Sequence, residues 1–370
     1  MHAVGPLLML EYFLSLDGPM FWGLVTVALL AGLALLTYGG DWLADGAASI
    51  ADHFKIDPIV IGITVVSTAT SAPELFTCLI TSFTGAPGGE GLILGNIVGS
   101  NLANVALIMG VAAMVCPIIE RERYVYWEIP WLIVASCVFT WFCFGDLTRM
   151  EGGILLVMMT GYMAVTMKIE PFFKGVLGPM YKTIGVIKDP SEIQMVDPED
   201  SMEDIEHRPI SKSLFLVILG ALALMIGARF LVDSAQAMSI KMNVDQGFVG
   251  LTLVAIGTSL PELAASIAAA RKGHTSIIAG NIFGSNLFNM LFVGGATAAA
   301  KPVLWSGNLK TEAFLMIAVT LLLVFAFRKS SPVAHDRHMG KATGFVFLLV
   351  YIGIMVWSGM NLEPTVAPAE

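Results

Sequence analysis

Ser67-Thr-Ala-Thr-Ser-Ala-Pro-Glu74 and Ala255-Ile-Gly-Thr-Ser-Leu-Pro-Glu262 decide how this chain is read. Each is followed by a second short run: Gly95-Asn-Ile-Val-Gly-Ser-Asn-Leu-Ala-Asn104 after the first, Gly280-Asn-Ile-Phe-Gly-Ser-Asn-Leu-Phe-Asn289 after the second. Both copies set a Pro beside a Glu inside a long apolar stretch. Hydrocarbon holds no water to solvate a carboxylate, so an ionisable side chain there marks a functional site. Two such sites in matching company argue against chance.

The surrounding composition supplies the hydrocarbon. Of 370 residues, 56% are hydrophobic and 13% are charged, against about a quarter charged in a soluble domain. That balance points to a lipid solvent. A net charge of -9 speaks against nucleic acid as a partner. Cys78, Cys116, Cys137 and Cys143 lie in or at the ends of apolar runs without metal-ligand spacing. They read as small hydrophobes, and no disulfide is expected. The six His fall outside the apolar runs, which disfavours a His metal centre. The first twenty residues carry no Lys or Arg, so no cleavable signal is expected there. Residues 6–16 read as an interfacial segment.

Stretches of about twenty apolar residues predict transmembrane helices. Ten are expected: 21–38, 58–82, 91–117, 128–145, 151–167, 213–237, 246–271, 276–298, 312–328 and 342–359. The long polar segment 168–212, acidic and Pro-interrupted, divides them into halves 21–167 and 213–359, with 1–20 and 360–370 as outer tails. It reads as a solvated linker without EF-hand spacing. Residues 39–75 align with 227–263 at a constant offset of 188, with no gap. Three extra residues then intervene in the first copy, around Gly85–Glu90, before the Gly-Asn runs match again. Five helices per half turn the second copy upside down, the inverted-repeat signature of secondary transporters. The fold class expected is therefore all-α integral membrane, ten helices in two inverted five-helix repeats. Fifteen Lys and Arg fall on the side of segment 168–212 and four on the other. The positive-inside rule then places that segment in the cytoplasm and both termini outside, in a multi-pass cell-membrane protein.

Within 58–82, Thr70, Ser71 and Glu74 share one face by their three- and four-residue spacings. Pro73 has no N–H and clashes with the carbonyl of Ala69, so the helix should break there. Irregular backbone at membrane depth is tolerated where it lines a polar cavity. Freed carbonyls, hydroxyls and a carboxylate form an oxygen set of the kind that hard cations choose. Thr258, Ser259, Pro261 and Glu262 repeat it. Ser100 and Asn104, like Ser285 and Asn289, add polar groups four residues apart. The neighbouring glycines let these helices approach the Pro-Glu helices closely. Asp45 and Asp233 also repeat, near the expected helix ends, and read as structural or ion-entry residues. Two deep carboxylates balance one divalent cation, two monovalent cations or two protons. Such a site, exposed to one side at a time, favours exchange over one-way passage. No H-E-x-x-H or Ser-His constellation lies in the spans, so a hydrolase is disfavoured and no cofactor is expected.

With these motifs in view, nearly all of the chain resembles the sodium/calcium exchanger superfamily, the cation/Ca²⁺ antiporters, in its prokaryotic ten-helix form. The resemblance implies a central Ca²⁺ site made by Glu74 and Glu262, with Thr70 and Thr258 contributing oxygens. It implies flanking Na⁺ sites using Ser71, Ser259, Ser100 and Ser285, joined by the backbone carbonyls of Ser67 and Ala255. The family's Asn positions fall on Asn104 and Asn289. Three departures stand out. Some members carry Asp where this chain has Asn289, Ala69 replaces the usual Gly seen at 257, and Ser67 replaces the small Ala seen at 255. Ca²⁺ and Na⁺ are the transported ions the family implies, with proton coupling as the alternative, and a monomer is expected.

Overall fold

The computed structural model describes residues 8–84, 89–168, 208–242, 255–304, 310–329 and 336–360. The expected span 246–271 is therefore seen only from 255 onward, and most of segment 168–212 lies outside the described residues, as do the two tails for the most part.

Helices occupy each expected place among the described residues. They are α1 (Leu8–Leu14), α2 (Gly18–Phe54), α3 (Pro58–Thr70), α4 (Ala72–Thr84), α5 (Gly91–Val115), α6 (Glu122–Cys143) and α7 (Arg149–Thr166) in the first half. The second half holds α8 (Ile210–Lys241), α9 (Ala255–Thr258), α10 (Leu260–Arg271), α11 (Thr275–Ala300), α12 (Lys310–Ala326) and α13 (Lys341–Met360). Six are long and apolar enough to cross a membrane alone, and α3 with α4 would form a seventh, bent by 44°. Short helix α1 covers part of the interfacial segment 6–16.

Helix α2 overruns its apolar stretch. Its 37 residues reach about 55 Å at 1.5 Å per residue, well beyond the ~30 Å hydrocarbon thickness. It ends where Lys55 turns left-handed at φ 52°, and Asp57 then opens α3, its side chain accepting from Ile59 N with Pro58 at the first helical position. Because α2 and α8 both run on, Asp45 and Asp233 lie inside these helices and not near their ends, which corrects the sequence expectation.

The two halves pack through glycines whose contacts come in pairs. A Cβ on Gly32 would sit 2.9 Å from Gly227 O, and one on Gly39 would sit 3.0 Å from Gly220 O. Adding 188 to 32 gives 220, and to 39 gives 227, so one contact is the inverted copy of the other. Small residues allow this approach of α2 to α8 where bulkier ones would hold the backbones apart. Gly110 against Gly344 and Gly295 against Gly152 are a second such pair, joining α5 to α13 and α11 to α7.

The connections follow the same symmetry and add a feature the sequence did not announce. Strands β1 (Ile118–Arg121), β2 (Arg328–Lys329) and β3 (Asp336–Met339) form an antiparallel sheet in the order β1-β3-β2. Its Ile118–Met339 pairing has a counterpart at the other end of the bundle, the bridge between Leu147 and Val303. Pro117-Ile118 matches Pro302-Val303, and Leu147 precedes Gly152 by the five residues that separate Met339 from Gly344. The end bearing the sheet is called the sheet side below.

Candidate cation site

Each half breaks a helix at the same serine. Ser71 has φ -89° and ψ 6°, and Ser259 has φ -91° and ψ 6°. Pro73 and Pro261 follow two residues later, inside the first turns of α4 and α10. A Pro there removes the N–H that would continue the ladder, and its ring crowds the carbonyl four residues back. The break puts Glu74 and Glu262 in the first turns of α4 and α10, where the positive end of the helix dipole favours an anion.

Both carboxylates are 1% exposed. Neither oxygen of Glu74 has a hydrogen-bond partner, and Glu262 Oε2 has none either. Glu262 Oε1 accepts from Ser71 Oγ at 2.9 Å, so the first repeat's serine reaches the second repeat's carboxylate. Around them, the hydroxyls of Ser100, Ser259 and Ser285 are buried without partners. The same holds for both amide atoms of Asn104 and of Asn289. Buried polar atoms are normally paired, and each exception calls for an explanation. Here the exceptions include carboxylate, hydroxyl and amide oxygens, the donor kinds that suit a hard cation. Among the described residues no group of three or more His, Cys, Asp or Glu could hold a metal. The two Glu thus stand with neutral oxygens alone.

The Asn segments are specially wound. Ala103–Ile108 and Phe288–Val293 are π-helical, and the 185-residue offset of the second motif maps one onto the other. Single π turns inside α-helices recur at functional sites. The segment bearing Asn104 packs on α10 of the opposite repeat, and that bearing Asn289 packs on α4. Gly280 and Gly284 approach the backbone of α3 at Gly62 and Ile63. The expected glycine contact is therefore with the stretch just before the Pro-Glu turn. The residues that would mirror it, 247–251, lie outside the described residues.

The remaining predicted positions fall as follows. Thr70 is fully buried, and its hydroxyl lies 3.3 Å from Ser67 O and 3.2 Å from Asn281 Oδ1. Ser67 O already accepts Ser71 N at 2.9 Å, while Ser67 Oγ donates to Ile63 O. Ala255 begins α9, and Thr258 ends it. Thr258 lines a cavity of about 620 Å³ with Pro73, Phe76, Ile80, Ala228 and Asp233. Arg229 also faces the cavity, 3.6 Å from Asp233. The cavity lies between α4 and α8, away from the sheet side.

The corresponding place on the sheet side is filled. The counterparts of Phe76, Ile80 and Ala228 at offset 188 are Ala264, Ala268 and Gly40. A Cβ on Gly40 would come 2.8 Å from Ala264 O and 3.1 Å from Ala268 Cβ. Lys272 adds an ionic tie there, 2.5 Å from Asp45 Oδ1 and 3.1 Å from Asp41 O. A cavity thus stands beside Thr258 where the corresponding place beside Gly40 is packed.

The profile of the sodium/calcium exchanger protein family matches residues 24–168 and 212–360. The chain belongs to the sodium/calcium exchanger family. Among its relatives is the sodium/calcium exchanger MaX1 of Methanosarcina acetivorans, 28% identical over 89% of this chain and 96% of its own length. An uncharacterised membrane protein of Methanocaldococcus jannaschii is 30% identical, covering 87% of this chain and 94% of its own. A solved structure of the sodium-calcium exchanger NCX_Mj superposes with a TM-score of 0.71 at 27% identity, over 92% of this chain and 99% of that one. The fold is thus that of a membrane cation/Ca²⁺ exchanger, a transporter.

Sequence reasoning passed over several buried polar residues. Asn281 and Asn96 were quoted within their motifs but given no role. Asn281 touches Thr70, Glu262 and Ser266, and Asn96 donates to Cys78 Sγ at 3.4 Å. Their identical place in both repeats was the available signal. A third carboxylate, Glu128 on α6, is fully buried and accepts Tyr162 OH at 2.6 Å. It lies at the start of an expected span, where a terminal Glu reads as an interfacial residue.

Proposed function

We propose that the chain is an antiporter exchanging Ca²⁺ for Na⁺ by alternating access. The observation that carries this reading is the pair Glu74 and Glu262: two buried carboxylates, one from each inverted repeat, with three of four oxygens unpartnered. Uncompensated, each charge would cost several kcal/mol. Ca²⁺ bound by Glu74 and Glu262 with oxygens of Thr70 and Thr258 neutralises both. Na⁺ ions at Ser71, Ser259, Ser100 and Ser285, with the carbonyls of Ser67 and Ala255, do the same in its place. Asn104 and Asn289 would supply amide oxygens or orient the carboxylates. A site that must stay neutralised crosses loaded, which couples the two fluxes.

In this reading segment 168–212 is cytoplasmic, the termini are outside, and the cavity beside Thr258 opens outward. The packing of Gly40 on Ala264 and Ala268 then closes the cytoplasmic route. Return access requires the second pair of elements, α8 and α4, to close as α2 and α10 part. The names of MaX1 and NCX_Mj as sodium/calcium exchangers support Na⁺ as the coupling ion.

A proton-coupled Ca²⁺ exchanger is the second reading. It is favoured by Asn289, which leaves the centre two carboxylates, enough for two protons. Proteoliposomes loaded with Na⁺, beside a set carrying only an outward proton gradient, separate the two. ⁴⁵Ca²⁺ uptake driven by Na⁺ and lost in Glu74→Gln supports sodium coupling. Uptake driven by protons alone moves the coupling to H⁺. No gradient-driven uptake by correctly inserted protein removes the calcium assignment.

A further inference from the structure

Asn281 is 1% exposed and sits on α11, between the two half-sites. Its Nδ2 lies 3.5 Å from Glu262 O and 3.1 Å from Ser266 Oγ. Its Oδ1 lies 3.2 Å from Thr70 Oγ1. A peptide carbonyl only accepts, so the NH₂ end must face Glu262 and the carbonyl end must face Thr70. An amide carbonyl also only accepts, so the Thr70 hydroxyl must be the donor. Ser67 O, at 3.3 Å on Thr70's own helix, and the Glu262 carboxylate compete for that proton. When the proton is turned to Asn281 Oδ1, the Thr70 oxygen keeps its lone pairs for the ion.

We propose that Asn281 is a positioning residue of the cation site, which turns the Thr70 hydroxyl so that lone pairs face the ion. It also ties a ligand of the first repeat to the carboxylate helix of the second. The inference rests on the cation-site reading above and concerns a residue that does not touch the ion. The opposite half shows the difference such a tie makes. Asn96, the counterpart of Asn281, donates to Cys78 Sγ, the counterpart of Ser266 Oγ. No hydrogen bond joins Asn96 to Thr258 among the described residues, and Thr258 borders the cavity. The tie is made by Asn281 and missing at Asn96, whose matching Thr258 stands beside the cavity.

A double-mutant cycle on the purified full chain tests this, read by equilibrium ⁴⁵Ca²⁺ binding. Thr70→Val removes the ligand oxygen, and Asn281→Ala releases it. Each is expected to raise the half-saturating Ca²⁺ concentration about tenfold, the size of effect a single hydrogen bond carries. The double variant is expected to lose no more than either single, because both act through one oxygen. Asn281→Ser, too short to bridge both partners, gives the same pattern if the alanine variant does not accumulate. Multiplied losses in the double variant, or unchanged Ca²⁺ binding in the Asn281 variants, overturn the proposal and leave the cation-site reading standing. A wild-type chain that binds no Ca²⁺ overturns both.

Discussion

Ser71 Oγ donates to Glu262 Oε1 at 2.9 Å across 191 residues of sequence. The inverse bond, from Ser259 to Glu74, is absent: Ser259 Oγ and both Glu74 oxygens are buried without partners. Two near-identical motifs therefore sit in different hydrogen-bonding states. In the proposed alternating-access cycle, such a difference between the halves is what would set one side apart from the other.

Glu74→Gln and Glu262→Gln are expected to keep the fold and lose the ion. Each removes a buried charge while keeping its volume, and the amide introduced by Glu262→Gln still offers an oxygen to Ser71. Bound Ca²⁺ should stabilise the wild type by about 2.7 kcal/mol at a hundredfold excess over Kd. That rise in Tm should vanish in either variant, in a thermal-unfolding assay with and without Ca²⁺. A retained Ca²⁺-dependent shift in both would exclude the pair as ligands.

Adjacent glycines on α7 should respond oppositely to the same change. A Cβ on Gly152 would come 2.6 Å from Ala299 N and 2.7 Å from Gly295 O, whereas one on Gly153 meets nothing within 4 Å. Gly152→Ala should destabilise by about 1–3 kcal/mol through forced separation of α7 and α11. Gly153→Ala should be neutral or gain up to ~1 kcal/mol from helix propensity. Denaturation of the two variants side by side checks the contrast; equal losses would mean the close approach is not real.

Ala268→Ile copies the first repeat's Ile80 into the packed contact with Gly40. Gly40 leaves no room for it, since even a Cβ there would stand 3.1 Å from Ala268 Cβ. The variant should favour the form open on the sheet side. A cysteine introduced as Ala265→Cys, now 3% exposed at that position, should react with a water-soluble maleimide several times faster in the Ala268→Ile background. An unchanged labelling rate would show that this contact does not hold the side shut.

His274, between α10 and α11 on the sheet side, is held below its ordinary pKa. Burial is the main cause, Asp45 opposes it, and Lys272 adds to it. A depressed folded-state pKa means the unfolded chain binds the proton more readily. The associated stability is present above the unfolded value near 6.5 and is lost as pH falls toward the folded one. Wild type should lose Tm between pH 7.5 and 5.5 by more than His274→Gln does. Parallel Tm curves for the two proteins would remove His274 from the acid response.

Much of the architecture was legible because lipid imposes it. A helix must carry about twenty apolar residues to cross hydrocarbon, so among the described residues the helices fell at the expected places. The duplication was readable for the same reason: Gly39, Asp45 and the Thr-Ser-x-Pro-Glu-Leu run recur at one offset. Glu74 and Glu262 stood out because a carboxylate has no ordinary place in such a run. The short sheet β1-β3-β2 was not legible, since four-residue segments such as Ile118–Arg121 carry no periodicity that separates them from loop.

The sequence by itself determined the membrane setting, the inverted repeat and the carboxylate pair, because each follows from local composition and from identity between two segments. Only the tertiary structure decided how the repeats differ. Asn96 and Asn281 are the same residue in the same motif, yet one bonds Cys78 and the other bridges Thr70 to Glu262. Gly40 is packed while its counterpart Ala228 faces a cavity. Hydrogen-bond direction and local packing depend on which distant helices meet, and a sequence that repeats itself carries no mark of how its two copies differ.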